Sequence, residues 1–273
     1  MIKVDQFELE NCMNRHTRLT ALLDLVLERE EVRVEEIVET LGVSPATVRR
    51  DLDNLAQQQL ITRTHGGARL HPSSSDLPLR YKSGRNADEK SRIAKAAIRL
   101  IRPGEVIGLN GGTTTTEVGR EIALAPESDG VVGDQRFIVV TNAVNIANEL
   151  TVRPRVKVVV TGGVARPHSY ELTGPLSTLI LTEISIDTLF LGVNAISADL
   201  GAAAHNEGEA SINAAFVKVA KKVVVVADSS KVGQTAFARI CDISEVHTLI
   251  TDGDIEPSEV ARFEAAGVKV IVA

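Results

Sequence analysis

Apolar positions recur with helical spacing over residues 15–59. Leu19, Leu22, Leu23, Val26 and Leu27 fall at i, i+3, i+4, i+7 and i+8, the stripe of one amphipathic helix. A short second helix over residues 34–41 turns Ile37, Val38 and Leu41 inward. Gly42 supplies a sharp turn, because a residue without a Cβ takes positive φ at little cost. Ser44 is placed to cap a third helix whose first turn accommodates Pro45. On that helix Val48, Leu52 and Leu55 form the inner face, which leaves Thr47, Arg49, Arg50 and Asp53 outward. Short alternation over residues 60–69, with Gly66-Gly67 as its turn, predicts a β-hairpin wing carrying Arg63, His65 and Arg69, which makes the first domain a winged helix.

Residues 70–86 are rich in Ser, Pro, Gly and charge and lack an apolar period, as a linker does. Beyond them strand-like runs (106–109, 137–141, 156–161, 188–192, 222–227, 248–251 and 268–272) alternate with helical segments such as 89–101, 144–150 and 209–221. Continuous Val/Ile runs, rather than alternating ones, predict strands buried on both faces in a mostly parallel sheet covered by helices. The expected class is α/β, with domains at 1–70 and 87–273 joined by a linker at 71–86. A length of 273 residues agrees with two domains of roughly 100–200 residues each.

Composition narrows the function. Aromatic residues make up only 3% and Trp is absent, which disfavours modules that stack single-stranded bases on rings. The net charge is −6, so a nucleic-acid partner has to be argued from local clustering. Residues 1–40 hold five Lys/Arg against ten Asp/Glu, whereas residues 41–70 hold four Arg against two Asp. The basic segment thus coincides with the third helix and the hairpin. Cys12 and Cys241 form no metal or disulfide spacing, and no cofactor or metal is expected. The start lacks a basic and an apolar signal region, and the longest apolar runs, such as 223–227, are far short of a membrane span of about 20 residues. A cytoplasmic protein without a membrane partner is the expectation.

Two helices joined by a Gly-containing turn match a helix-turn-helix, whose second helix enters the DNA major groove. Arg49 and Arg50 can contact guanine edges or phosphates, and Ser44 and Thr47 can hold phosphates near the helix start. Arg63 and His65 on the hairpin complete the candidate DNA-binding set. Asp51 is expected to be structural, paired with a basic neighbour or the first helix, and Gly66 and Gly67 to shape the hairpin. A protein-interaction module with a solvated arginine face is the alternative. Ser44-Pro-Ala-Thr-Val-Arg-Arg-Asp-Leu52, followed by Arg63-Thr-His-Gly-Gly-Ala68, closely resembles the signature of the DeoR family of bacterial transcription regulators. Gln59 departs from it, standing where the family often places Gly.

In the second half, Leu109-Asn-Gly-Gly-Thr-Thr-Thr-Thr116 follows a predicted strand and opens a predicted helix. Gly111 and Gly112 let backbone N–H groups approach a ligand, and Thr113, Thr114 and Thr115 add donors at a helix N-terminus, a combination suited to phosphate. Other strand ends carry Asn142, Gly162-Gly163, and Asp228 with Lys231. Ligands of open α/β sheets bind at that edge, so these residues are the candidate effector site for a small, hydroxyl-rich anion. The alternative for each is a local turn or cap. From Ala87 onward the chain resembles the DeoR-type sensor domain, related in fold to ribose-5-phosphate isomerase, through Glu89-Lys90, Gly112-Thr-Thr114, Thr141-Asn142, Gly162-Gly163, Thr173-Gly174, Glu209-Ala210 and Asp228-Ser-Ser-Lys231. Asn110, where the family usually has Asp, and Gly201-Ala-Ala-Ala204 depart from its pattern. The resemblance implies a repressor of a carbohydrate operon that binds a double-stranded DNA operator as a homodimer or homotetramer, with a phosphorylated sugar as effector. The rival expectation is a sugar-phosphate isomerase or deaminase with an appended helix-turn-helix, using Asp228, Glu207, Glu209 or His205 as base.

Overall fold

A computed structural model describes residues 13–29, 31–71, 77–82, 84–124 and 137–273. Cys12 and parts of the 71–86 segment lie outside the described residues. The chain forms two units that divide between Leu77 and Pro78.

The first unit runs α1 (Arg15–Arg29), β1 (Glu31–Arg33), α2 (Val34–Leu41), α3 (Pro45–Gln57), β2 (Ile61–Thr64) and β3 (Gly67–Leu70). Its three strands form an antiparallel sheet in the order β1-β3-β2. Leu22, Leu23 and Val26 of α1, Ile37 of α2, and Val48, Leu52 and Leu55 of α3 are fully buried together with Ile61 and Ala68 of the hairpin. Gly42 adopts φ +64°, and Ser44 Oγ accepts the Thr47 N–H at 3.2 Å, so turn and cap form as their chemistry predicts. Strand β1 is a feature that the periodicity did not reveal: one apolar residue, Val32, stands between two charged ones. Gly67 explains its fit, since a Cβ there would collide with the Val32 carbonyl.

The second unit opens with α4 (Leu79–Lys82), inside the stretch read as linker, where Tyr81 is buried. It continues through α5 (Ala87–Ile98), β4 (Val106–Leu109), α6 (Thr113–Leu124), β5 (Phe137–Thr141), α7 (Val144–Thr151), β6 (Val156–Val160), β7 (Val164–Ala165), β8 (Leu172–Thr173), α8 (Pro175–Leu179), β9 (Ile186–Leu191), β10 (Ala195–Ser197), β11 (Gly201–Ala204), α9 (Glu207–Val219), β12 (Ala220–Val226), β13 (Ala238–Cys241), β14 (Thr248–Thr251), α10 (Pro257–Ala265) and β15 (Lys269–Val272). Seven strands form one parallel sheet in the order β15-β14-β12-β9-β4-β5-β6. These are the seven Val/Ile runs of the sequence.

Within β12, Val223 and Val225 face one core, with Phe216 of α9 and Phe263 of α10. Val224 and Val226 face the other, with Ile93 of α5, Val118 of α6 and Ile146 of α7. Burial on both faces accounts for the unbroken apolar runs. A smaller antiparallel sheet, β10-β11-β13, includes Gly201–Ala204 as its middle strand. Because all seven main strands run the same way, residues 110–112, 141–142, 161–163, 192–194, 227–228 and 251–252 share one edge of the sheet.

Candidate functional site

On α3 the apolar stripe points into the core, and Arg49 and Arg50 are exposed on the opposite side. Among the described residues neither arginine has an ion-pair partner in the structure. Asp51 is only 2% exposed and receives the Arg18 Nε proton at 2.6 Å, tying α3 to α1 as expected. Arg63 of β2 lies 3.4 Å from Asp53 of α3, an exposed pair that holds the hairpin arginine beside the third helix. His65 stands exposed at the hairpin tip, and the Gly66 carbonyl accepts the Val34 N–H at 2.8 Å. Ser44 uses its hydroxyl locally, 2.9 Å from that of Thr47. The surface is therefore a helix bearing two unpaired cations, flanked by a charged β-hairpin.

At the edge of the parallel sheet, α6 starts after Gly112, which takes φ +150°. The first intrahelical bond runs from Thr116 N to Gly112 O at 3.0 Å. The Thr113, Thr114 and Thr115 amides precede it and lack intrahelical acceptors, leaving donors for an anion. Thr115 is fully buried and, like Thr116, donates its hydroxyl to the Gly112 carbonyl. Its side chain thus shapes the turn. Asn110 Nδ2 donates to Gly192 O at 2.9 Å, and its Oδ1 accepts the Gly192 N–H at 2.7 Å. Only an amide makes both bonds, so Asn110 clamps the end of β4 to the end of β9.

Asn142 is completely buried; its Nδ2 donates to Glu171 Oε2 at 2.9 Å, while its Oδ1 has no partner. Gly162 and Gly163 take φ +78° and +114°, and Ser177 donates to the Gly162 carbonyl at 2.8 Å. A Cβ at Gly163 would collide with Ser177, so this pair shapes a close approach of chain segments.

Asp228 is buried and accepts from Asn86 Nδ2 at 3.1 Å and from the Ser230 hydroxyl. Beside it lies a residue that the sequence reading had not placed in the site. Lys90 is 4% exposed, and its ammonium donates to the carbonyls of Lys82 (3.1 Å) and Arg85. Burial lowers its pKa; Asp228 and Glu117 oppose that shift, and Lys231 and Arg85 add to it. Lys90 is therefore a buried cation within electrostatic reach of Asp228, Lys231, Arg85 and Glu117 of α6. The available signal was its position, since Lys90 falls on the Ile93, Ala94 and Ala97 stripe of α5 at i, i+3, i+4 and i+7.

Two other expected candidates have structural partners. Glu209 pairs with Arg166 at 3.0 Å, and Glu207 begins α9 beyond strand β11. Cys241 is buried, which pushes its thiol up to about 11 and keeps it protonated. Among the described residues no group of His, Cys, Asp and Glu gathers as a metal site would need. None of the helices among these residues is long and apolar enough to cross a membrane.

Residues 18–74 match the DeoR-like helix-turn-helix domain, and residues 85–253 match the DeoR C terminal sensor domain. The HTH-type transcriptional regulator GlpR of Haloferax volcanii is 35% identical over 256 residues, spanning 93% of this chain and 96% of that protein. The glycerol-3-phosphate regulon repressor of Escherichia coli is 30% identical over 240 residues, with coverages of 88% and 92%. Among solved structures, ribose 5-phosphate isomerase A of Methanocaldococcus jannaschii aligns with a TM-score of 0.40 at 20% identity, over 54% of this chain and 55% of that one. The full-length sorbitol operon regulator SorC of Klebsiella pneumoniae aligns with a TM-score of 0.35 at 14% identity, over 84% and 91%. Full-length likeness to named regulators overturns the enzymatic alternative: the protein is a DNA-binding regulator and not an enzyme. Both domain matches and both curated relatives agree that this chain belongs to the DeoR family of transcriptional regulators.

Proposed function

We propose that the protein is a cytoplasmic repressor of a carbohydrate operon whose grip on DNA is set by a phosphorylated sugar. The observation that supports the effector reading is Lys90, a buried cation within electrostatic reach of Asp228, Lys231 and Glu117 of α6. The free amides of Thr113–Thr115 and the cations of Lys90 and Lys231 are suited to a phosphate. Asp228 and Asn142 suit sugar hydroxyls. Relatives point the same way, since one is named for glycerol 3-phosphate and another, from Staphylococcus epidermidis, is the lactose phosphotransferase system repressor.

Arg49, Arg50, Arg63 and His65, with Ser44 and Thr47, form the DNA surface in this reading. A homodimer or homotetramer fits it, because a two-fold protein matches paired half-sites about one helical turn apart. The effector acts only through its different affinity for the free and the DNA-bound state.

The test is fluorescence anisotropy on labelled DNA from upstream of the protein's own gene, with a scrambled duplex as control and a panel of sugar phosphates. Selective binding relieved by one phosphate ester is expected. In Lys231→Ala the relief weakens while DNA affinity holds. Loss of DNA binding in that variant, with the ester still bound normally, would refute the assignment.

A further inference from the structure

Glu171 is 4% exposed and lies just before β8, in the segment that returns from β7. Its side chain lies against Gly111, the residue that precedes the turn into α6. A Cβ on Gly111 would overlap the Glu171 side chain and come within 2.6 Å of its Oε1. The glycine thus forms a cradle that a carboxylate fills. The other oxygen, Oε2, accepts from Asn142 Nδ2 at 2.9 Å, while Asn142 Oδ1 is buried without a partner. A carboxyl side chain of the protein itself is therefore seated one residue from the turn whose amides suit a phosphate. A phosphate ester carries about −1.5 to −2 charges near neutral pH, and a carboxylate at that place repels it.

The chain around Glu171 is held in an unusual shape. Tyr170 takes φ +60°, a left-handed conformation disfavoured for a side chain of its size. Its carbonyl accepts the Val144 N–H at 2.9 Å, and Leu172 N–H donates to Asn142 O at 2.7 Å, so the segment is sewn to the end of β5. At its other side the His168 carbonyl accepts the N–H of Leu79 at 2.6 Å. Leu79 is the first residue of α4, two residues past the division between the units.

We propose that Glu171 is the residue through which the effector is sensed: its carboxylate fills the Gly111 cradle in the free protein, the effector's phosphate displaces it, and residues 166–172 move and loosen the hold on Leu79. This rests on the phosphate reading of the site and adds the element that the ligand moves.

The full-length protein is titrated with inorganic phosphate by calorimetry, as wild type and as Glu171→Gln, which keeps the shape and removes the charge. Glu171→Gln is expected to bind phosphate at least about 10-fold more tightly. Hydrogen exchange on the wild type provides an arm that needs no variant, with phosphate slowing exchange at Thr113–Thr115 and speeding it over residues 166–172. Leu79→Pro removes the N–H at a helix position that tolerates proline. With Leu79→Ala as control, it is expected to leave phosphate affinity within about twofold and to blunt the effect of phosphate on DNA binding by at least about fivefold. Phosphate binding that is equal or weaker in Glu171→Gln, or unchanged exchange over 166–172 on saturation, overturns the sensing role and leaves the phosphate site standing. Absence of any binding by inorganic phosphate and by the ester panel, in either protein, overturns both.

Discussion

Arg49 and Arg50 stand exposed on α3 above an apolar core, whereas Asn142, Asp228 and Lys90 in the sensor unit are at most 4% exposed and already bonded to neighbours. In the function proposed above, the difference follows from the two ligands. A DNA duplex is a large, stiff polyanion that meets cations wherever they face water, so the arginines need only a rigid helix beneath them. A small anion has to be taken out of water, and the groups proposed to receive it already hold internal partners, Asn142 Oδ1 excepted. In that reading one unit recognises by display, the other by exchange of partners.

The sharpest way to break the comparison is the double substitution Arg49→Ala/Arg50→Ala. With each lost base or phosphate contact worth about 1–3 kcal/mol, operator affinity falls roughly 100- to 1,000-fold. Thermal unfolding should stay within about 0.5 kcal/mol, because both side chains are exposed. A melting shift as large as the affinity loss would mean that the arginines support the fold.

Arg18→Ala tests the opposite kind of residue in the same unit. Leaving Asp51 buried and unpaired costs about 3 kcal/mol of stability, read as an earlier denaturant midpoint. The double variant Arg18→Leu/Asp51→Leu recovers most of that loss.

In the sensor unit, Lys90→Met should weaken effector binding about 10-fold with operator affinity unchanged. It also carries a pH signature. An amine whose folded pKa is lowered by burial opposes folding while it is charged. That opposition is relieved as pH rises from the lowered value toward the ordinary lysine value of about 10.4. Wild-type stability therefore gains on that of Lys90→Met across this window, measured by urea unfolding at stepped pH. A gap that does not vary with pH would remove Lys90 from the buried-cation role.

The smallest effect is expected at Gln59, which takes φ +59° between α3 and β2. A left-handed residue with a Cβ costs about 1–2 kcal/mol, and glycine's greater loss of chain entropy returns part of that. Gln59→Gly should stabilise the winged-helix unit by about 0.5–1 kcal/mol without altering operator affinity. The departure from the family's usual Gly is thus a matter of strain in this structure.

Legibility in the sequence tracked side-chain size and burial. All seven strands of the large sheet stood out because Val, Ile and Leu on both faces leave unbroken runs. Strands β10, β11 and β13 did not, since Ala195–Ser197 and Gly201–Ala204 are built largely from small residues with little strand preference. The two exposed arginines were readable from helical phase alone. Lys90 was not singled out, because a lysine next to Glu89 looks like a solvated face until its place on the apolar stripe of α5 is weighed. Glu171 has no local pattern at all, as its relation to Gly111 exists only through the return of the chain after β6.

The order of strands in the main sheet also sets a schedule. Strand β9 pairs with β4, made earlier, and with β12, made later, so the middle of the sheet is incomplete until Val226 has been synthesised. The winged-helix unit has all its helices and its hairpin by Leu70. At about 5–20 residues per second, roughly 10–40 seconds of translation separate that point from the last strand. During each round of synthesis a nascent chain thus carries a finished DNA reader before it carries anything able to hear the metabolite.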